Sequence, residues 1–221
     1  MDLSPLLISC KIAFSATLIT FVLGIFAAWG VGMSKGARPI LDAVLSLPLV
    51  LPPTVVGFFL LMLFSRNAGF GKFLFSIGIN PLFTWGGGVF AATVVSFPVM
   101  YRTTRGAFEQ VDGSIIAAAR TLGMSEFRIF TKIMIPVSLP GIAAAVILSF
   151  ARALGEFGAT IMVAGNLPGK TQTMAVAIYT AMQGGNKALA LRWVLIIFAL
   201  SAIILLLMNV ITQRFSKRRT A

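Results

Sequence analysis

The sequence has no histidine, a single cysteine (Cys10) and only six acidic residues. One cysteine excludes an intramolecular disulfide. Zinc and haem sites draw mainly on histidine and cysteine, so no metal site and no cofactor bound by this chain is expected. Charge of either sign is scarce, at 11% of 221 residues, whereas hydrophobic residues make up 58% and the mean hydropathy is +0.96. A soluble domain of this size carries far more charge, so the composition reads as an integral membrane protein.

What is abundant is long apolar sequence. A spanning helix needs about 20 predominantly apolar residues, and such runs cover 6–33, 43–64, 85–104, 133–153 and 193–212. They predict an all-α membrane protein with five transmembrane helices in one domain, 6–213. Alternating strands are missing, which excludes a membrane barrel. The first run far exceeds the apolar core of a signal peptide, about 7–15 residues, and Met1–Pro5 carries Asp2 and no basic residue. It is expected to persist as a span.

The basic residues set an orientation. Lys35 and Arg38 fall in the first connection, Arg102, Arg105, Arg120, Arg128 and Lys132 in or beside a middle loop at 105–132, and Arg214, Lys217, Arg218 and Arg219 in a tail at 214–221. An excess of Lys and Arg in short loops marks the cytoplasmic side, which places the N-terminus outside and the C-terminus inside. The net charge of +12 then reflects topology and attraction to anionic lipid head groups. No nucleic-acid partner is expected.

The middle loop is the least apolar internal stretch. Phe108, Val111, Ile115, Ile116, Ala119 and Leu122 recur at spacings of three and four, which predicts an apolar stripe on a short helix. Gly123 suits a helix end in the left-handed region, and Ser125 can cap a second helix over Glu126–Lys132. Such a pair must bury its ridge, either on the lipid surface or in a soluble partner.

Further along the second run, Pro48, Pro52 and Pro53 remove backbone donors and must kink or break the helix. Broken backbone at membrane depth is tolerated where it faces protein or a water-filled cavity. Pro52, Pro53 and Thr54 are therefore candidate pathway or gate residues, with a kinked packing helix as the plainer reading. Arg152 and Glu156 share a helix face four residues apart, where an ion pair is favoured over direct contact with a passing anion. The stretch 171–183 is too short to span and reads as a re-entrant or interfacial helix in an outer loop. AGNLPGKT, Ala164–Thr171, approaches a phosphate-binding loop, but alanine holds its first glycine position and no strand precedes it. Nucleotide binding there is not expected.

Several strings carry a family resemblance. AAARTLGMSEFRIFTKIMIP, Ala117–Pro136, resembles the EAA loop of ABC-importer permeases, E-A-A, three residues, Gly, nine residues and I-x-L-P. Ala118, Ala119, Gly123, Ile133 and Pro136 match; Ala117 stands in place of the glutamate and Ile135 in place of the leucine. LPLVLPPTVVGF, SFPVMYR and RALGEFGATIMVAGN are similar to the permease subunits of bacterial molybdate importers. The resemblance implies a multi-pass permease of the bacterial inner membrane, a homodimer with its path on the two-fold axis. Its loop would dock a separate cytoplasmic ATP-binding subunit, and an extracytoplasmic binding protein would deliver the oxyanion. No catalytic residue is implied, because ATP hydrolysis belongs to the partner chain. Sulfate or tungstate permeases share the general plan. An ion-gradient-driven secondary transporter is the reading from another class; no internal repeat supports it, and Asp42 and Glu156 are its only carboxylates near membrane depth.

Overall fold

The computed structural model describes residues 2–34 and 36–217, with side chains described as far as Val210. Every regular element among them is a helix. The first, α1, spans Ser4–Met33, and Pro5 sits in its opening turn, where the missing N–H costs nothing. The fifth, α5, spans Trp85–Glu109 and runs parallel to it. Ile12 lies beside Gly88, Gly24 beside Met100, and Val31 shares a cluster with Phe108. The eighth, α8 at Ile135–Leu154, returns antiparallel, since Ile142 packs near Ile25 whereas Ala153 and Leu154 pack near Ile12.

This three-helix centre explains why α5 is rich in small and hydroxylated residues. Ala91, Ala92, Val95, Ser96, Met100 and Tyr101 are almost wholly buried, so protein rather than lipid surrounds them and small side chains allow close helix approach. One hydroxyl pair bridges α1 and α8, whereas the buried Thr93 and Thr104 hydroxyls of α5 have no partner among the described residues. The Thr20 and Ser149 hydroxyls lie 3.2 Å apart, and Ser149 also donates to the Ser96 carbonyl at 3.4 Å.

Among the described residues three helices are long and apolar enough to cross a membrane, Ser4–Met33, Glu126–Leu154 and Lys187–Val210, or four if one bent pair counts as a span. That pair corrects the expected single run at 43–64. It is two helices, α2 (Arg38–Val50) and α3 (Pro53–Phe64), meeting at 106°. A residue preceding proline is pushed out of the helical region, and Leu51 (ψ 138°) and Pro52 (ψ 135°) are both extended. Pro48, by contrast, is accommodated inside α2.

Two other boundaries move. The expected span at 133–153 starts earlier, because α7 (Glu126–Ile129) passes without a break through a π-helical stretch, Phe130–Met134, into α8. The wider turn, with the Ile135 N–H donating to the Phe130 carbonyl, absorbs Pro136 just after it. The last helix, α11, covers Lys187–Lys217 and runs past the expected start of the tail; Arg218 and Arg219 lie outside the described residues, as does Lys35. The helix α4 (Gly69–Ser76) had no counterpart among the expected elements. The short helices α6 (Gly113–Thr121), α9 (Gly158–Ala164) and α10 (Met174–Gln183) complete the chain.

Candidate docking unit and intramembrane break

At the end of the bundle away from the N-terminus, α5 stops at Glu109 and the chain turns into α6. Asp112 caps α6 by accepting the Ser114 N–H at 2.8 Å, and that bond holds the Asp112 carboxyl below its usual range. α6 closes in a left-handed residue, Gly123, at φ 75°. The Met124 N–H donates to the Ala119 carbonyl at 3.1 Å and the Gly123 N–H to the Arg120 carbonyl at 2.9 Å, the bond pair that ends a helix at glycine. Ser125 then caps α7 through the Arg128 N–H, and Arg120 clasps Glu126 across the turn at 2.6 and 3.0 Å.

The expected apolar stripe is split. Phe108, Val111 and Ala119 face the protein, whereas Ile115 is 47% and Leu122 82% exposed. The turn between Glu109 and Gly113 breaks the helical register, so the periodicity does not carry from α5 into α6. The second predicted short helix is likewise not separate but the start of the long α7–α8 segment. Of the matched residues, Ala119 is buried, Ile133 half-buried, and Ala118, Gly123 and Pro136 exposed. The base of the unit is rigidly seated: Phe130, 2% exposed, stacks on Trp29 at 4.5 Å and meets Phe26 and Phe108. The outward face, with Ile115, Leu122 and Phe127, is left uncovered.

A second constellation sits at the broken backbone. α8 ends at Leu154 and α9 starts at Gly158. Between them Glu156, 2% exposed, accepts from Arg152 Nη1 at 2.7 Å and from the Ala159 N–H at 2.9 Å. The carboxylate therefore both neutralises the guanidinium and caps α9. The proline elbow packs against this break: a Cβ on Gly158 would lie 3.1 Å from Pro53 Cβ and from the Thr54 nitrogen. Pro53, Thr54 and Glu156 are thus brought to one region, with Pro52 and Thr54 exposed on its open side.

Contact between α3 and α9 depends on Gly57, where a Cβ would stand 2.8 Å from Ala159 Cα and 2.9 Å from Met162 Cβ. Backbone cannot yield as a flexible side chain can. Gly57→Val is expected to separate these helices and to cut the yield of detergent-stable protein severalfold, measured by fluorescence-detected size exclusion. An unchanged elution profile and yield would contradict this packing.

Sequence reasoning missed an ionic network joining α2 to α5. Arg38 pairs with Glu109; Arg105 donates to the same carboxylate at 3.0 Å and to the Tyr101 hydroxyl at 3.1 Å; Asp42 pairs with Arg105 and accepts from Tyr101. Only the four-residue spacing of Arg105 and Glu109 was visible in the sequence. Asp42, one of the two carboxylates that a gradient-driven mechanism needed, is committed to this network. The loop Ala164–Thr171 follows a helix, and the N–H groups of Lys170 and Thr171 both donate to the Leu167 carbonyl, so they do not form a phosphate cradle. Among the described residues no cluster of possible metal ligands occurs.

Comparison with known proteins agrees in fold and sequence. A bacterial ABC transporter involved in the import of the acidic polysaccharide alginate superposes with a TM-score of 0.78 at 18% identity, covering 96% of this chain and 79% of that one. The molybdenum transport system permease protein ModB of Escherichia coli (strain K12) is 45% identical over 216 residues, 96% of this chain and 94% of the relative. The sulfate transport system permease protein CysT of Salmonella typhimurium (strain LT2) is 35% identical over 207 residues, 93% of this chain and 75% of the relative. The model of the binding-protein-dependent transport system inner membrane component family matches residues 20–219. With a family match over most of its length and a relative this similar along nearly the whole chain, the chain belongs to the binding-protein-dependent transport system inner membrane components.

Proposed function

We propose that this chain is the membrane-spanning permease subunit of an ATP-driven oxyanion importer, with molybdate as its substrate. It crosses the bacterial inner membrane five times, N-terminus outside and C-terminus inside, and works as a homodimer. ATP is hydrolysed on a separate cytoplasmic subunit docked on α6, and an extracytoplasmic binding protein supplies the anion. The observation that carries this reading is the exposed α6, braced by the Gly123 turn and the Arg120–Glu126 clasp and seated on Trp29 through Phe130. An apolar face with a rigid base suits a partner that must pull on the bundle.

The substrate class is supported by the 45% identity to the molybdenum permease, which exceeds that to the sulfate permease. Dimerisation is supported by the proline elbow, where Val50 is 81%, Leu47 52% and Phe58 49% exposed in the single chain. One chain has too few helices to enclose a path, and a second copy related by a two-fold axis completes it. Pro52, Pro53 and Thr54 then face the path, while Arg152 and Glu156 fix the break behind them. The permease binds no cofactor and performs no covalent chemistry.

A competition assay tests the substrate. Labelled molybdate uptake by the reconstituted permease, ATPase and binding protein is expected to persist in about hundredfold excess sulfate, a preference of about 2.7 kcal/mol or more. Suppression by sulfate would instead assign a broader oxyanion permease.

A further inference from the structure

At the opposite end of the bundle from α6, the start of α1, the entry to α5 and the loop before α10 line an open pocket of about 430 Å3. Its wall includes Ile8, Lys11, Phe83, Trp85, Lys170 and Thr171. Neither lysine has a carboxylate partner among the described residues, since all six carboxylates in the sequence are engaged elsewhere. Lys11 is instead held over Trp85, its Nζ 3.8 Å from the ring centroid. Thr171 is 1% exposed; its hydroxyl oxygen accepts the Leu167 N–H at 3.1 Å, and its own proton has no acceptor among the described residues. The loop is fixed in place by Asn166, which donates to Thr180 at 2.9 Å and accepts from Gln172 at 2.8 Å.

Two ammonium groups and a buried hydroxyl proton without an acceptor call for a ligand with several negatively charged oxygens. The rest of the wall is apolar or aromatic, with Phe83 58% and Trp85 42% exposed. A small hydrated anion gains nothing from those rings. A phosphodiester carrying a glycerol backbone and acyl chains does, and tryptophan beside lysine at a helix end is the pattern of a membrane interface. We propose that this pocket binds the phosphate of an anionic phospholipid, with Lys11, Lys170 and Thr171 on the phosphate oxygens and Ile8, Phe83 and Trp85 along the glycerol and upper acyl chain. The site is distinct from both the α6 docking face and the proline elbow. It does not depend on which oxyanion is transported.

The test uses the full chain in nonionic detergent, titrated with dioctanoyl phosphatidylglycerol, dioctanoyl phosphatidylcholine or inorganic phosphate, with bound species counted by native mass spectrometry. Phosphatidylglycerol is expected to saturate one site per chain at least about tenfold more tightly than phosphatidylcholine. Lys11→Gln/Lys170→Gln is expected to abolish that preference without changing elution or melting. Lys170→Gln alone, at an exposed side chain, is expected to weaken it severalfold should the double variant fail to fold. Equal affinity for the two lipids, or an unchanged preference in a folded lysine variant, would overturn the site. Inorganic phosphate binding as tightly as the lipid would overturn the lipid assignment in favour of a free-anion site.

Discussion

Replacing Gly123 with valine is expected to cut recovery of the ATP-binding subunit with the permease by about five- to thirtyfold while leaving membrane insertion intact. At φ 75° a residue with a Cβ pays about 1–2 kcal/mol, which gives that range, and a β-branched residue is the worst case. Space is not the obstacle, because a Cβ on Gly123 would meet no atom within 4 Å. Conformation alone is therefore tested, and the variants should rank accordingly. Gly123→Asn, which tolerates the left-handed region, retains most docking, Gly123→Ala less, and Gly123→Val least. If all three docked equally well, the turn between α6 and α7 would not be what presents the partner-binding face. If docking followed side-chain volume and ignored conformation, steric exclusion rather than backbone strain would control it.

Glu156 governs the second large effect. Arg152→Ala leaves a carboxylate that is 2% exposed without its cation, and breaking a buried pair on one side costs about 3 kcal/mol or more. Glu156→Ala strands the half-buried guanidinium and also removes the acceptor for the Ala159 N–H. The double variant, with no unpaired charge, is expected to be more stable than Arg152→Ala by about 2 kcal/mol or more, measured by thermal unfolding in detergent. Its deficit relative to the parent is the lost cap on α9, about 1 kcal/mol. Strict additivity of the two single changes would show that they act separately and that the pair does not hold the helix break.

Both sites were partly legible in the sequence, for local reasons. Backbone chemistry is local, so the proline break at 52–53 and the glycine ending α6 could be read directly. Helical spacing is local too, which is why Arg152 and Glu156 were recognised as neighbours. The 106° elbow angle was not legible, since it is set by α3 packing on α9 through Gly57, about a hundred residues away in sequence. The second role of Glu156, capping α9, required knowing that α8 stops at Leu154. The apolar stripe was overextended because periodicity cannot report a turn that resets the register, as the one before Gly113 does. Arg38 finding Glu109 is a tertiary event, and the short α4 carries too weak a periodic signal to announce itself. The fold class was plain from composition, whereas the number of crossings was blurred by a bent pair and by a buried α5 whose small polar residues dilute its hydropathy.

Transport through this chain is expected only when an ATPase acts on it through α6. Proteoliposomes containing the permease and the binding protein, with and without the ATP-binding subunit, measure this as uptake of labelled molybdate. Uptake should require both the subunit and ATP on its side of the membrane, and should fall with Gly123→Val in parallel with docking. Uptake driven by an ion gradient in liposomes lacking the ATP-binding subunit would contradict coupling through α6.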